Sequence, residues 1–106
     1  MAKYLVRAAY TPEGAKGLLK DGGSKRIEVV RQLMKSVGGT VEAAYFALGE
    51  HDFICIADLP DNVALTALAL TTNASGAVRL STTALISAAE VDEAVKKAVA
   101  YTPPGR

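Results

Sequence analysis

Apolar side chains along this chain gather in four short strand-like runs, separated by stretches in which they recur at helical spacing. Lys3–Tyr10 is the first run, with apolar or aromatic groups at both parities. Thr11-Pro12 then reads as an N-cap followed by proline in the first helical turn, where its missing N–H costs nothing. That helix is short, because Asp21-Gly22-Gly23 interrupts it. A longer helix follows from Ser24, with Ile27, Val30, Met34 and Val37 at helical spacing and Gly38-Gly39 as its stop. Two further runs, Val41–Leu48 and Phe53–Leu59, flank Gly49-Glu50-His51-Asp52, a hairpin signal.

Past Leu59-Pro60-Asp61, the segment from about Asp61 to Thr72 is helical and apolar on most of its circumference, with Val63, Leu65, Leu68 and Leu70 among alanines. Asn73–Gly76 is a turn and Ala77–Ile86 a fourth strand. Ser87-Ala88-Ala89-Glu90 is a capping box that opens a last helix, expected to bury Val91, Ala94, Val95, Ala98 and Val99. Thr102–Arg106, with two prolines, forms an extended tail. The order is β-α-β-β-α-β plus a C-terminal helix, the ferredoxin-like α+β pattern of an antiparallel sheet backed by helices. In that topology the first and third strands are central. The third, Phe53–Ala57, is apolar at both parities, yet helices cover only one face of the sheet. A second copy packed on the open face is the expected cover, so a homodimer or higher homo-oligomer is the expected assembly.

Composition sharpens this picture. All 106 residues fit one domain, and 50% hydrophobic residues with a mean hydropathy of +0.20 is apolar for so small a protein. Twelve basic against eleven acidic residues leave a net charge of +1, which argues against nucleic-acid binding by bulk electrostatics. No apolar run approaches the roughly 18–20 residues of a membrane helix. One cysteine, Cys55, has no internal disulfide partner, and no signal peptide precedes Tyr4, so a cytoplasmic location is expected. A lone His and a lone Cys make no metal-ligand cluster, and nothing calls for a cofactor.

Lys3-Tyr4-Leu5-Val6, Thr11-Pro12-Glu13-Gly14, Gly17-Leu18-Leu19, Gly22-Gly23-Ser24-Lys25-Arg26, the 49–52 hairpin, Leu59-Pro60-Asp61 and the Tyr101–Gly105 tail together carry a resemblance. In these residues the chain resembles the bacterial GYD domain family, named for a Gly-Tyr-Asp signature in the hairpin of a ferredoxin-like domain. The resemblance covers nearly the whole chain. It implies membership of the dimeric α+β barrel group, which includes small monooxygenases, isomerases, stress-response proteins and ligand-sensing modules. It implies fold more than activity. The chain departs from the signature in one place, carrying His51 before Asp52 where the family shows tyrosine.

The candidate chemistry is sparse. His51 beside Asp52 is the best acid–base candidate, since histidine titrates near neutrality and an orienting carboxylate raises its basicity. Neighbours on a strand point to opposite faces, however, and both residue types are common in turns. A loop of Gly49-Glu50 sets Ala47 opposite Asp52, whereas a loop of Gly49-Glu50-His51 sets Leu48 there. Arg7 and Arg79 each interrupt an apolar strand, and the first and fourth strands are adjacent in this fold. Either one or both hold an anionic or carbonyl-bearing ligand, or they form cross-strand or intersubunit salt bridges with groups such as Asp58 or Glu42. Tyr4, Tyr10, Tyr45 and Tyr101 are candidate pocket residues with hydroxyl handles, or else core and interface residues. Ser81, Thr82 and Thr83, beyond Arg79 on its strand, offer further hydroxyls to a pocket, although threonine is also simply a good strand residue. Asp21-Gly22-Gly23-Ser24 reads as an anion site at a helix N-terminus or, more simply, as a capping turn between helices. Cys55 packs as a small apolar group.

The leading functional reading is a homo-oligomeric domain binding a small, partly apolar molecule, with its pocket between sheet and helices or at the subunit interface. Arg7, Tyr45, His51 and Arg79 are its expected contacts. The alternatives are a cofactor-free oxygenase or isomerase acting on a hydrophobic carbonyl or phenolic substrate, and a structural oligomerisation module.

Overall fold

A computed structural model describes residues 1–106. The element order is β1 (Ala2–Tyr10), α1 (Pro12–Asp21), α2 (Gly23–Ser36), β2 (Thr40–Phe46), β3 (Phe53–Leu59), α3 (Asn62–Ala74), β4 (Val78–Leu85) and α4 (Ala88–Ala94). The sheet is antiparallel with strand order β2-β3-β1-β4, so β1 and β3 are central, as the topology requires.

Local chemistry sets these boundaries. Thr11 Oγ1 accepts from the Gly14 N–H (3.2 Å) and Asp61 Oδ1 from the Ala64 N–H (2.9 Å), each satisfying a donor that the helix leaves orphaned. Between α1 and α2 the chain turns at Gly22, whose φ of 82° is open to glycine at no steric cost. The Gly22 N–H closes α1 on the Leu18 carbonyl, and no side chain caps the start of α2. Ser87 and Glu90 form the expected capping box at α4.

Alternation along the strands sorts side chains to two faces. Tyr4, Val6, Ala8, Phe53, Cys55, Ala57, Leu59 and Val78 point to the helical side, where Val30, Met34 and Leu68 close the core. Phe46 adds an edge-to-face contact with Phe53, ring centroids 5.4 Å apart. The void left between sheet and helices is about 20 Å³, bordered by Val30, Met34, Phe53 and Leu68. That is room for about one water and not for a ligand. The expected pocket between sheet and helices is thus filled by side chains.

Two expectations are corrected. The chain does not have the α+β barrel form that the resemblance implied: its sheet is open, with β2 and β4 at opposite edges and each bonded to one neighbour only. Four strands are too few to close, since about eight are needed before a barrel interior accommodates side chains. The C-terminal helix also fails to bury its apolar stripe. It ends at Ala94, no residue of it is buried, and Val95 and Val99 beyond it are 75% and 79% exposed.

The pairing of β2 with β3 contains one irregularity. Val41 lies opposite Ala57 and Ala43 opposite Ile56, so Glu42 is an extra residue in the β2 strand.

Candidate functional site

The open face of the sheet is read off its registers as rows of side chains. One row runs Tyr45–Ile54–Arg7–Ser81, and the next runs Ala43–Ile56–Leu5–Thr83. A third contains Asp58, Lys3 and Leu85, and at the opposite end Ala9 pairs with Arg79. The face is largely apolar at its centre, and Arg7 is the charged exception there.

Arg7 is half-buried, and its Nε is buried without a hydrogen-bond partner. A buried guanidinium donor without an acceptor is costly, and this is the one buried side-chain nitrogen or oxygen of the fold left without a partner. The ion-pair reading with Asp58 and Glu42 does not hold within the chain. Both carboxylates are taken by Lys3, whose Nζ lies 2.7 Å from Glu42 Oε1 and 3.0 Å from Asp58 Oδ1. Glu42 first and Asp58 second hold the exposed Lys3 ammonium's pKa above its ordinary value. Four residues of strand separate Lys3 from Arg7, about 13 Å, too far for the same carboxylates to serve both.

Arg79 lies diagonally from Arg7, because Arg7 faces Ser81 on the neighbouring strand. Diagonal partners stand about 7–8 Å apart at the backbone, so two long cationic side chains stand on adjacent strands within a side chain's length of each other. Arg79 also borders a cleft of about 250 Å³ at this end of the face, shared with Ala9, Glu50, His51, Leu80 and Ser81. The structure therefore brings Arg79 and His51 together at one end of the face, with Arg7 one row inward. Tyr45, 71% exposed, joins them from across Ile54 in the row of Arg7. Ser81 was among the expected pocket hydroxyls, and the register of β4 against β1 sets it opposite Arg7. Glu50 was not among the expected site residues, because its place depends on the hairpin's path.

His51 and Asp52 separate. The Ala47 N–H donates to the Asp52 carbonyl oxygen (2.8 Å), which is the register with Ala47 opposite Asp52. Paired strand nonetheless stops at Phe46 and Phe53, so the connection is longer than a two-residue loop. The Asp52 N–H donates to the Ala8 carbonyl (2.8 Å), and its Oδ2 accepts from the Tyr10 N–H (2.8 Å). Asp52 is thus an anchor that ties the hairpin to the end of β1. It orients no imidazole, and no His51–Asp52 acid–base pair forms.

The other candidates are structural. Tyr4, 2% exposed, donates its hydroxyl to Asn62 Oδ1. The buried Cys55 thiol is pushed up to about 11 by desolvation, which keeps it protonated and unreactive. No three His, Cys, Asp or Glu side chains come together to hold a metal ion. No helix is long and apolar enough to cross a membrane.

An open four-stranded antiparallel sheet, backed by helices and carrying cations on its free face, defines a ferredoxin-like α+β protein. The GYD domain model matches residues 4–95, and the chain belongs to that family. In solved structures the same fold is found in the crystal structure of MtbAldR, with a TM-score of 0.59 and 22% identity over 81% of this chain and 52% of that one. This chain therefore spans about half the length of MtbAldR. The crystal structure of FFRP-DM1 gives a TM-score of 0.51 at 19% identity, covering 81% of this chain and 100% of that one. These likenesses concern the fold alone. No curated protein matches the sequence.

Proposed function

We propose that this domain works as a homo-oligomer, with copies meeting through the open sheet face, and binds a small, partly apolar molecule bearing a carboxylate or similar anionic group. Arg7 is the primary contact, Arg79 the second cation, and Tyr45 and His51 border the bound molecule. The observation that carries this reading is the Arg7 Nε: buried in an apolar face and unpartnered, while Glu42 and Asp58 pair with Lys3 two rows away. Leu5, Ile54 and Ile56 supply the apolar surface beside it.

Native mass spectrometry of the purified chain tests both parts at once, reporting oligomer mass and any co-purified molecule. Titration with aromatic carboxylates such as phenylacetate then measures affinity directly. Arg7→Met, which keeps the apolar stem, is expected to weaken binding about 10- to 100-fold, the worth of one charge-assisted hydrogen bond. A monomer with no bound molecule, or unchanged phenylacetate affinity in Arg7→Met, would overturn the reading.

A further inference from the structure

The C-terminal segment is a specified structure with nothing of its own to pack on. Its helix α4 has a complete capping box, yet seven residues are too few for a helix to hold in water without docking. Every residue from Ile86 to Thr102 is exposed. Among them Ile86, Val95, Val99 and Tyr101 are each 69% or more exposed, and Val91 is 47%. The segment also gives the molecule its shape. The radius of gyration is 17.0 Å and the long axis 57 Å against 32 and 23 Å, whereas a compact domain of this length has a radius near 13 Å.

The arm is rooted on the side of the open face. Ile86, Ser87 and Glu90 share a cleft with Lys3, Asp58 and Leu85, which lie at the end of that face away from Arg79. From that root it points off the body, so it does not cover the Arg79 end of its own sheet.

We propose that the arm Ile86–Arg106 docks on a second copy of this chain, over the Arg79 end of the partner's open face, with its valines on the apolar surface and Asp92 and Glu93 against Arg79. Three observations favour a second copy over an unrelated partner. Charges on both sides can pair: Asp92 and Glu93 have no ion pair in their own chain and neither has Arg79, while Glu50 of the same cleft is open to Lys96 and Lys97 of the arm. Area is short without the arm. Four strands about 4.8 Å apart and roughly 25 Å long offer a face on the order of 500 Å². A standard stable interface buries about 800 Å² per partner. Reach is sufficient, because the arm is twenty-one residues long and begins at the edge of the face that it extends. The proposal rests on the oligomer part of the proposed function and not on ligand binding; where an anion is bound, it and the arm's carboxylates compete for Arg79.

Cross-linking of the full-length chain tests it, in a Cys55→Ala background. One chain carries Val95→Cys, the other carries Ala9→Cys and a tag that changes its mass, and a short bis-maleimide is added to the mixture. The expected product is a covalent dimer with one chain of each kind, well above the yield when Lys16→Cys on α1 replaces Ala9→Cys. The double substitution Val91→Asp, Val95→Asp, at exposed positions, should leave the far-ultraviolet circular dichroism unchanged and weaken dimerisation at least tenfold by analytical ultracentrifugation. If the mixed dimer does not exceed the control and the double variant dimerises like the parent, the arm proposal falls while the sheet-face oligomer stands. If the parent chain is monomeric at micromolar concentration, both fall.

Discussion

Replacing Asp52 by alanine separates the anchoring role of this residue from the acid–base role that its place beside histidine suggests. The substitution removes the carboxylate that accepts from the Tyr10 N–H at 2.8 Å and leaves the backbone bonds of residue 52 to Ala8 and Ala47 in place. A hydrogen bond to a charged group is worth about 1.5–3 kcal/mol when desolvated, and partial exposure of Asp52 reduces this to about 1–2 kcal/mol. For a domain of this size the melting temperature should fall by roughly 5–12 °C. In urea the midpoint should drop by about 1 M. Asp52→Asn, which keeps an acceptor oxygen, should recover about half of the loss. His51→Ala should stay within about 0.5 kcal/mol of the parent, because it breaks no bond. Urea unfolding followed by circular dichroism measures all three variants. An Asp52→Ala midpoint equal to that of the parent, or a His51→Ala loss as large as that of Asp52→Ala, would refute the anchor.

Two other expectations follow from the packing. A Cβ on Gly14 would overlap the Ala77 carbonyl oxygen, whereas one on Gly17 meets nothing within 4 Å. Gly14→Ala should therefore cost about 1–3 kcal/mol despite alanine's better helix propensity, and Gly17→Ala should gain up to about 1 kcal/mol, both read by urea midpoint. Cys55 gives a pH signature. Its thiol is near 11 folded against 9.0 when unperturbed, so the unfolded chain releases the proton first. Its contribution is fully present below pH 9 and is lost as pH rises through 11, at about 1.4 kcal/mol per pH unit. Stability of the parent relative to Cys55→Ala should decline between pH 8 and 10.5, and a constant difference would show that the thiol is not desolvated.

Much of the fold was legible because local signals agree with tertiary demands. Thr11-Pro12, Asp61 and Ser87-Glu90 start helices where caps predict. Apolar parity at Phe53–Ala57 separates a buried set from Ile54 and Ile56 on the open face. The closeness of Arg7 to Arg79 follows from β1 lying beside β4. What was not legible depends on contacts distant in sequence. The acceptor role of Asp52 needs the Tyr10 N–H, forty-two residues away, and the commitment of Glu42 and Asp58 to Lys3 needs the register of three strands. Spacing of Val91, Val95 and Val99 marks an apolar stripe but does not say which chain it meets, and so burial within the chain was the wrong inference. The barrel form came from the resemblance rather than from the strand pattern, for the four runs read along the chain are themselves too few to close.

The extra residue at Glu42 absorbs a parity conflict within one strand. Val41 faces the helices opposite Ala57 and Tyr45 faces the free side opposite Ile54, although residues four apart share a face in a regular strand. Taking Glu42 out would leave Val41, Ala43, Tyr45 and Phe46 in strict alternation on the faces they now occupy, so the phenol beside the guanidinium does not depend on it. A gap at this position in a related chain therefore marks a lost bulge, and with it the carboxylate that Lys3 holds, rather than a change in what the free face displays.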